Sequence, residues 1–138
     1  MPTVLNPYLN FDGNAREAME FYHSVLGGKL DINSFKDSQM SQEPAEDNKV
    51  MHAMLVTDGG IVLMASDTPK GMPFNPGKSI SISLSGEDEA ELRGYWEKLS
   101  EGGKVNMPLE KAPWGDTFGM LTDKFGTDWL VNINALKA

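Results

Sequence analysis

The chain has 138 residues, 40% of them hydrophobic and 23% charged, which is the size and composition of one globular domain. Twelve Lys and Arg against 20 Asp and Glu give a net charge of -8, which disfavours nucleic acid and anionic membrane surfaces as partners. Cysteine is absent, so disulfides, thiolate nucleophiles and sulfur-ligated zinc are excluded.

The amino-terminal residues predict a strand and no targeting segment. Residues Met1 to Asn10 have no basic region and no long apolar run, and no segment approaches the roughly eighteen apolar residues that span a bilayer. We therefore expect a cytoplasmic protein. From Val4 to Phe11 the polarity alternates, which predicts a strand with apolar side chains on one face and Asn6 and Tyr8 on the other.

A helix is predicted between Asn14 and the Gly27-Gly28 pair. Asn14 together with Glu17 is typical of an N-terminal cap. His23 falls just outside the apolar face of this helix, and we expect it to be exposed. Five apolar side chains recur at the spacing of one buried face: Ala18, Phe21, Tyr22, Val25 and Leu26.

The rest of the first half predicts a polar excursion followed by two strands. Lys36 to Lys49 is polar and contains a proline, which is typical of a long solvated loop. Met54 to Asp58 and Ile61 to Met64 are typical of a strand, a turn and a strand. His52 alternates with Met54, so it either shares the face of Tyr8 or packs beneath the helix.

The second half repeats this order of elements. Ser79 to Leu84 alternates, a second helix ends at Gly102-Gly103, and two strand patterns follow at Met120 to Asp123 and Trp129 to Ile133. Overlaying Tyr8 to Lys29 on Ser81 to Lys104 aligns Ser79 with Asn6 and Ser81 with Tyr8. The apolar face of the second helix comprises Leu92, Tyr95, Trp96 and Leu99.

These patterns predict an α+β fold in a single domain, residues 1–138. The domain contains two β-α-β-β-β modules, residues 1–66 and 79–138, joined by a linker rich in proline and glycine at residues 67–78. Two such modules can form a curled, mostly antiparallel sheet with the helices outside and a cleft between the modules. The polar strand faces of Asn6, Tyr8, Ser79 and Ser81 either line that cleft or face water.

Seven motifs along the chain carry a family resemblance: Asn6-Pro7-Tyr8-Leu9, Glu17 to Tyr22, Leu26-Gly27-Gly28, Met51-His52-Ala53, Leu63 to Asp67, Trp114 to Gly119, and Asp123-x-Phe125-Gly126-x-x-Trp129. They resemble motifs of the vicinal-oxygen-chelate superfamily, and most closely of its PhnB-like branch. The resemblance covers nearly the whole chain and implies the duplicated fold described above. Members of the superfamily include glyoxalases, extradiol dioxygenases, fosfomycin-resistance transferases and bleomycin-binding proteins, so the resemblance implies a scaffold rather than one reaction.

The resemblance also implies where a divalent metal would bind in metal-dependent members, on the first and last strands of each module. The corresponding positions here fall near Asn6 or Tyr8, near Ser79 or Ser81, and near Met64 and Leu130. Amide, hydroxyl and thioether groups hold divalent ions weakly. We therefore predict no cofactor and no metal, with a divalent metal as the disfavoured alternative.

We predict that the chain binds or transforms a small molecule in the cleft, and the resemblance implies a homodimer. His52 and Tyr8 are the predicted catalytic residues. Trp114 either covers a ligand at the cleft mouth or closes the core, whereas Glu110 and Asp116 beside it are expected to be solvated. The alternatives are a non-catalytic sequestration protein and a metal-dependent glyoxalase-like lyase or dioxygenase. The predicted ligand contacts are Asn6, Tyr8, Ser79, Ser81, Met64, Trp114 and Leu130.

Overall fold

The computed structural model describes residues 5–37, 47–68 and 80–135, and it confirms the duplicated order of elements. The chain divides into two compact units, residues 1–76 and 77–138, here called the first and second modules. The first contains β1 (Tyr8–Phe11), α1 (Ala15–Leu26), β2 (Lys29–Ser34), β3 (Val50–Val56) and β4 (Val62–Asp67). The second contains β5 (Ile82–Gly86), α2 (Glu89–Ser100), β6 (Lys104–Lys111), β7 (Thr117–Thr122) and β8 (Asp128–Ile133).

Each module has its own four-stranded mixed sheet. The strand orders are β1-β4-β3-β2 and β5-β8-β7-β6, so the two modules share one topology. The β1–β4 and β5–β8 pairs are parallel, and the remaining pairs are antiparallel. The predicted α+β fold with two equivalent modules is therefore confirmed. Most of the predicted linker, and Ser79, lie outside the described residues.

The core of the first module lies between α1 and one face of its sheet. Ala53, Leu55, Leu63 and Ala65 on the strands are buried, as is the inner face of α1. Phe21 is only half-buried, because it lies at the border of that face with its ring 5.7 Å from the ring of Tyr22. The buried α1 residues are Ala15, Ala18, Met19, Tyr22, Val25 and Leu26.

The start of α1 is capped by a distant carboxylate. The side chain of Asn14 makes no capping hydrogen bond, so that part of the prediction was wrong. Asp67, the last residue of β4 and only 2% exposed, accepts a hydrogen bond from the Ala15 amide at 2.9 Å. Its second oxygen accepts one from the Val50 amide at 2.9 Å. One buried carboxylate therefore joins α1, β3 and β4.

The core of the second module uses fewer helix residues than the sequence predicted. Leu92 and Leu99 of α2 are buried, but Tyr95 and Trp96 are only half-buried. The hydroxyl of Tyr95 donates to Glu91 at 2.6 Å. The pKa of Tyr95 is raised to about 12, mainly because the side chain is partly buried and secondly because of this hydrogen bond. Tyr95 thus belongs to the border of the core, where its hydroxyl has a hydrogen-bond partner on the same helix.

The Trp96 ring lies directly on the backbone of β7. A Cβ atom at Gly119 would lie 2.7 Å from the ring atom Cη2 of Trp96 and 2.9 Å from Cα of Leu109. Real Cβ atoms essentially never approach other atoms so closely. Glycine is therefore required at position 119 because Trp96 fills the space of a side chain.

The motif Asp123-x-Phe125-Gly126-x-x-Trp129 forms the turn between β7 and β8. The buried Asp123 carboxylate accepts hydrogen bonds from the Phe125 and Thr127 amides at 2.9 and 3.1 Å. Its other oxygen accepts the indole N–H of Trp129 at 2.8 Å. Trp129 is 1% exposed and anchors the core of the second module, while Phe125 is half-buried. The motif is therefore structural.

The second glycine of the pair that follows each helix, Gly28 or Gly103, lies against the equivalent turn in its own module. A Cβ atom at Gly28 would collide with the Val56 carbonyl, and one at Gly103 would collide with the Thr122 carbonyl. These carbonyls lie at the ends of β3 and β7, which are equivalent strands. The same close approach occurs twice, which supports the duplication.

Strand pairing corrects the predicted overlay of the two modules. Tyr8 pairs with Met64, and Ser83 pairs with Leu130 at the same point of the second sheet. The counterpart of Tyr8 is therefore Ser83, two residues beyond the predicted Ser81. A slip of two residues leaves every side chain on the same face, so alternation alone could not reveal it.

We expect Asp67→Asn to destabilise the protein by about 1–3 kcal/mol, because asparagine puts an NH2 donor in place of one acceptor oxygen and leaves a buried backbone N–H unpaired. Urea unfolding followed by circular dichroism measures this change. Asp58→Asn, an exposed carboxylate in the β3–β4 turn, is the matched control and should change stability by less than about 0.5 kcal/mol. Equal stability of the two variants would contradict the capping role of Asp67.

Gly119→Ala should destabilise the protein by about 1–3 kcal/mol through overpacking against Trp96. Gly94→Ala in α2 is the control, because a Cβ there meets nothing within 4 Å and should be neutral or stabilising. Thermal unfolding of both variants measures the contrast. If Gly119→Ala were as stable as the parent protein, the tight contact with Trp96 would be refuted.

Candidate functional site

One face of the first sheet carries polar and sulfur-containing side chains opposite the face that packs on α1. Tyr8, Met64, Met54 and Asp31 are paired neighbours across all four strands, so they share this face. The adjacent residues Leu9, Ala65, Ala53 and Ile32 lie on the opposite face, where Ala53 and Ala65 are buried. We call this surface the first open face; its side chains are Tyr8, Asn10, Lys29, Asp31, Asn33, His52, Met54, Val56, Val62, Met64 and Ser66.

Tyr8 and His52 meet on the first open face. The Tyr8 hydroxyl lies 3.3 Å from Nδ1 of His52, and the two ring centroids are 5.8 Å apart. His52 therefore shares the face of Tyr8 and does not pack beneath α1. Tyr8 is 45% exposed and His52 is half-buried. The contact orients the two rings relative to each other, and the exposed part of each side chain can be reached by another molecule.

The direction of the Tyr8–His52 hydrogen bond decides what the imidazole presents. When Nδ1 is unprotonated, the phenol donates to it and Nε2–H is left as a donor. When Nδ1 carries the proton, it donates to the phenol oxygen and Nε2 is left as a base. In either tautomer Nε2 has no partner among the described residues. The pair can therefore bind a polar group or move a proton at Nε2.

The thioether side chains of Met54 and Met64 share the first open face with this pair. Met54 and Met64 are half-buried, pair with one another across β3 and β4, and follow directly from Tyr8 in the same row. The described strands β1, β3 and β4 contain no Lys or Arg, and Lys29 lies at the start of β2. The site is therefore polarisable and largely uncharged.

The second module has a corresponding open face. Ser83, Leu130, Met120 and Met107 form one paired row, and Ser85, Asn132, Phe118 and Glu110 form the next. We call these eight side chains the second open face. Leu130 corresponds to Met64, and Asn132 corresponds to Ser66, because each pair holds the same position in the last strand of its module.

Trp114 lies beside the second open face. Its ring contacts Phe118 edge-on, with the ring centroids 5.7 Å apart and an interplanar angle of 65°. The Trp114 side chain is 63% exposed, so it does not close the core. The sequence left two roles open for Trp114, and its exposed position permits the first of them, contact with a ligand.

A hydrogen-bond network that the sequence analysis missed holds Asn132. Asn132 Nδ2 donates to Asp116 Oδ2 at 3.1 Å and to Asn134 Oδ1 at 2.8 Å. The Ala135 amide donates to Asp116 Oδ1 at 2.8 Å, and these two donors lower the pKa of Asp116. Asn132 lies on the face opposite α2, and its partners come from the β6–β7 turn and from the residues after β8.

The predicted site residues separate into two groups. Asn6, Tyr8, His52 and Met64 belong to the first module, where Asn6 is half-buried just before β1. Ser81, Trp114 and Leu130 belong to the second module, where Ser81 is exposed just before β5. Ser79 lies outside the described residues. The roles of these residues, and the cleft between the modules, remain predictions.

The residues at the superfamily's metal positions do not fit a divalent ion. Asn6, Ser81, Met64 and Leu130 offer an amide, a hydroxyl, a thioether and an alkyl group. Within residues 5–37, 47–68 and 80–135, no three His, Asp or Glu side chains form a group that could hold a metal. No step of a reaction is therefore assigned to a metal here.

Neither α1 nor α2, each of 12 residues, is long and apolar enough to cross a membrane. This finding concerns the part of the chain that the structure describes.

Comparison with known proteins places the chain among proteins of this topology. The family model described as 3-demethylubiquinone-9 3-methyltransferase matches residues 3–132. The solved structure of protein PA1353 from Pseudomonas aeruginosa is 43% identical, with a TM-score of 0.85, covering 98% of this chain and 100% of that one. A PhnB protein from Bacillus cereus is 28% identical, with a TM-score of 0.73, covering 96% and 100%.

A more distant structure shows the wider fold. A glyoxylase/bleomycin resistance protein/dioxygenase domain from Frankia sp. EAN1pec has a TM-score of 0.69 at 15% identity, covering 100% of this chain and 96% of that one. At this identity the likeness concerns the fold alone. It agrees with the duplicated β-α-β-β-β topology described above.

Proposed function

The chain belongs to the family described as 3-demethylubiquinone-9 3-methyltransferase, the PhnB-like branch of the vicinal-oxygen-chelate superfamily, and from this premise we propose that it binds a small organic molecule without a metal ion. The molecule contacts the first open face, with Tyr8 and His52 as its polar anchor. The observation that carries this proposal is the 3.3 Å contact between the Tyr8 hydroxyl and Nδ1 of His52.

The methyltransferase activity in the family's description is not part of the proposal. Gly27-Gly28 and Gly102-Gly103 follow the ends of α1 and α2, where they close helices, and Gly59-Gly60 lies in the β3–β4 turn. Loops that bind nucleotide-like cofactors instead place glycines before a helix begins. The proposal therefore rests on the side chains of the open face and not on the family's name.

The composition of the first open face favours an uncharged ligand. Met54 and Met64 provide a polarisable surface for an apolar part of the ligand, and Nε2 of His52 provides one polar contact. Strands β1, β3 and β4 bring no cation to this face, and the net charge of -8 repels anions at a distance. Phosphorylated or polycarboxylate ligands are therefore disfavoured.

His52 is the group through which binding could become catalysis. When Nδ1–H donates a hydrogen bond to the Tyr8 oxygen, Nε2 is unprotonated and can accept a proton from a bound molecule. Tyr8 then has a positioning role, because its oxygen accepts the hydrogen bond from Nδ1–H and so orients the ring. Without such a proton transfer, the same pair would hold a ligand for sequestration, as in the bleomycin-binding members.

We expect His52→Ala to lower the affinity for a ligand found by a thermal-shift screen of metabolites at least about tenfold, because Nε2 supplies the polar contact to that ligand. Tyr8→Phe should weaken binding less, since it removes only the group that orients His52. His23→Gln on the exposed side of α1 is the matched control and should bind as the parent does.

The same variants separate catalysis from sequestration. Loss of turnover in His52→Ala with retained affinity would assign a catalytic role to the imidazole. Weaker binding, with no turnover in the parent protein, would indicate sequestration. If ligands bound His52→Ala and the parent equally, and no turnover was lost, the first open face would be refuted as the site.

Protein purified without chelator should contain no stoichiometric divalent ion, because the side chains at the family's metal positions are poor ligands. Elemental analysis by mass spectrometry measures this directly. One tightly held ion per chain would instead support the metal-dependent glyoxalase-like lyase or dioxygenase.

A further inference from the structure

The side-chain amide of Asn132 has a fixed orientation. Its Nδ2 donates to two acceptors, Asp116 Oδ2 at 3.1 Å and Asn134 Oδ1 at 2.8 Å. An ionised carboxylate accepts hydrogen bonds and cannot donate them. The Ala135 amide and Asn132 itself lower the pKa of Asp116, so this carboxylate is ionised at neutral pH. Reversing the amide would bring Asn132 Oδ1 against that charge.

The consequence is that Asn132 presents only an acceptor. Both hydrogens of its amide are used within the network, and Oδ1 makes no hydrogen bond among residues 5–37, 47–68 and 80–135. Asn132 is half-buried, so an unsatisfied Oδ1 loses part of its hydration. A donor on a bound molecule would satisfy it.

Aromatic side chains adjoin this acceptor. Phe118 is paired with Asn132 across β7 and β8, which brings their Cβ atoms to within about 5.5 Å on the same face. Trp114 lies edge-on to Phe118 and is exposed. Met120 and Leu130 form the next row of the same face. A flat ring placed against these side chains would bring its own edge close to Asn132.

We propose that the second open face binds a planar aromatic molecule carrying an N–H or O–H donor, and that Asn132 Oδ1 is the group that selects the donor. Trp114 and Phe118 contact the ring, and Asp116 is a positioning residue that acts through Asn132. This inference goes beyond the proposed function, because it assigns a ligand chemistry to the second open face.

Indole and benzofuran test the selection of the donor, because they have nearly the same shape and only indole has an N–H. Titration of isotopically labelled protein, followed by amide chemical shifts of β7 and β8, measures both affinities. We expect indole to bind about tenfold more tightly than benzofuran, the usual effect of leaving a built acceptor unpaired.

Asn132→Leu should abolish the preference, so that the two probes bind equally through the aromatic side chains. Trp114→Ala should weaken both probes by the same factor and leave their ratio unchanged. Asp116→Asn keeps Asn132 but allows its amide to reverse, and the preference for indole should fall. Glu97→Gln, at an exposed position of α2 outside the second open face, is the control and should leave the ratio unchanged.

Equal binding of the two probes to the parent protein would overturn the inference, and so would binding of neither probe. Survival of the indole preference in both Asn132→Leu and Asp116→Asn would also overturn it. These results leave the proposed function standing if a metabolite still binds in a manner that depends on His52. Loss of that dependence, with the indole preference intact, would instead refute the role of Tyr8 and His52.

Discussion

The structure depends on one constraint: each four-stranded sheet packs a single helix against one of its faces. Strand side chains alternate between the faces, so every residue that packs on α1 or α2 sends its neighbours to the other face. In the first module this arrangement sets Leu55 and Leu63 beneath α1 and Met54 and Met64 opposite. The open faces are therefore a necessary product of how the cores form.

A buried carboxylate stabilises each module, but it accepts hydrogen bonds from different parts of the fold in the two cases. Asp67 joins the start of α1 to β3 and β4, whereas Asp123 organises the β7–β8 turn and holds the indole of Trp129. Neither residue carries chemistry in our proposals. The motif that identifies the branch most clearly is thus explained by a turn, and function must be sought in the side chains of the open faces.

The two open faces have diverged although the modules share a topology. Tyr8 and Met64 in the first module correspond to Ser83 and Leu130 in the second. The first open face has an imidazole, a phenol and two thioethers, while the second has an amide beside two aromatic rings. Duplication supplied the same surface twice, and substitution gave each copy different chemistry.

Local patterns predicted the elements, the duplication and the face of most strand residues. They could not predict the Asp67 cap or the Asp116–Asn132 network, because these contacts join residues that are distant in the chain. They also could not choose the face of His52, since a histidine on a strand suits either side. The slip between Ser81 and Ser83 escaped notice because alternation repeats every two residues.

The central claim is that the first open face binds a small molecule through His52. The chain has only two histidines, so a nitrogen NMR spectrum of protein labelled in histidine separates His52 from His23. Addition of a ligand from the metabolite screen should shift the Nε2 resonance of His52 and leave that of His23 unchanged. A ligand that raises the melting temperature while leaving both imidazoles unshifted would contradict the account.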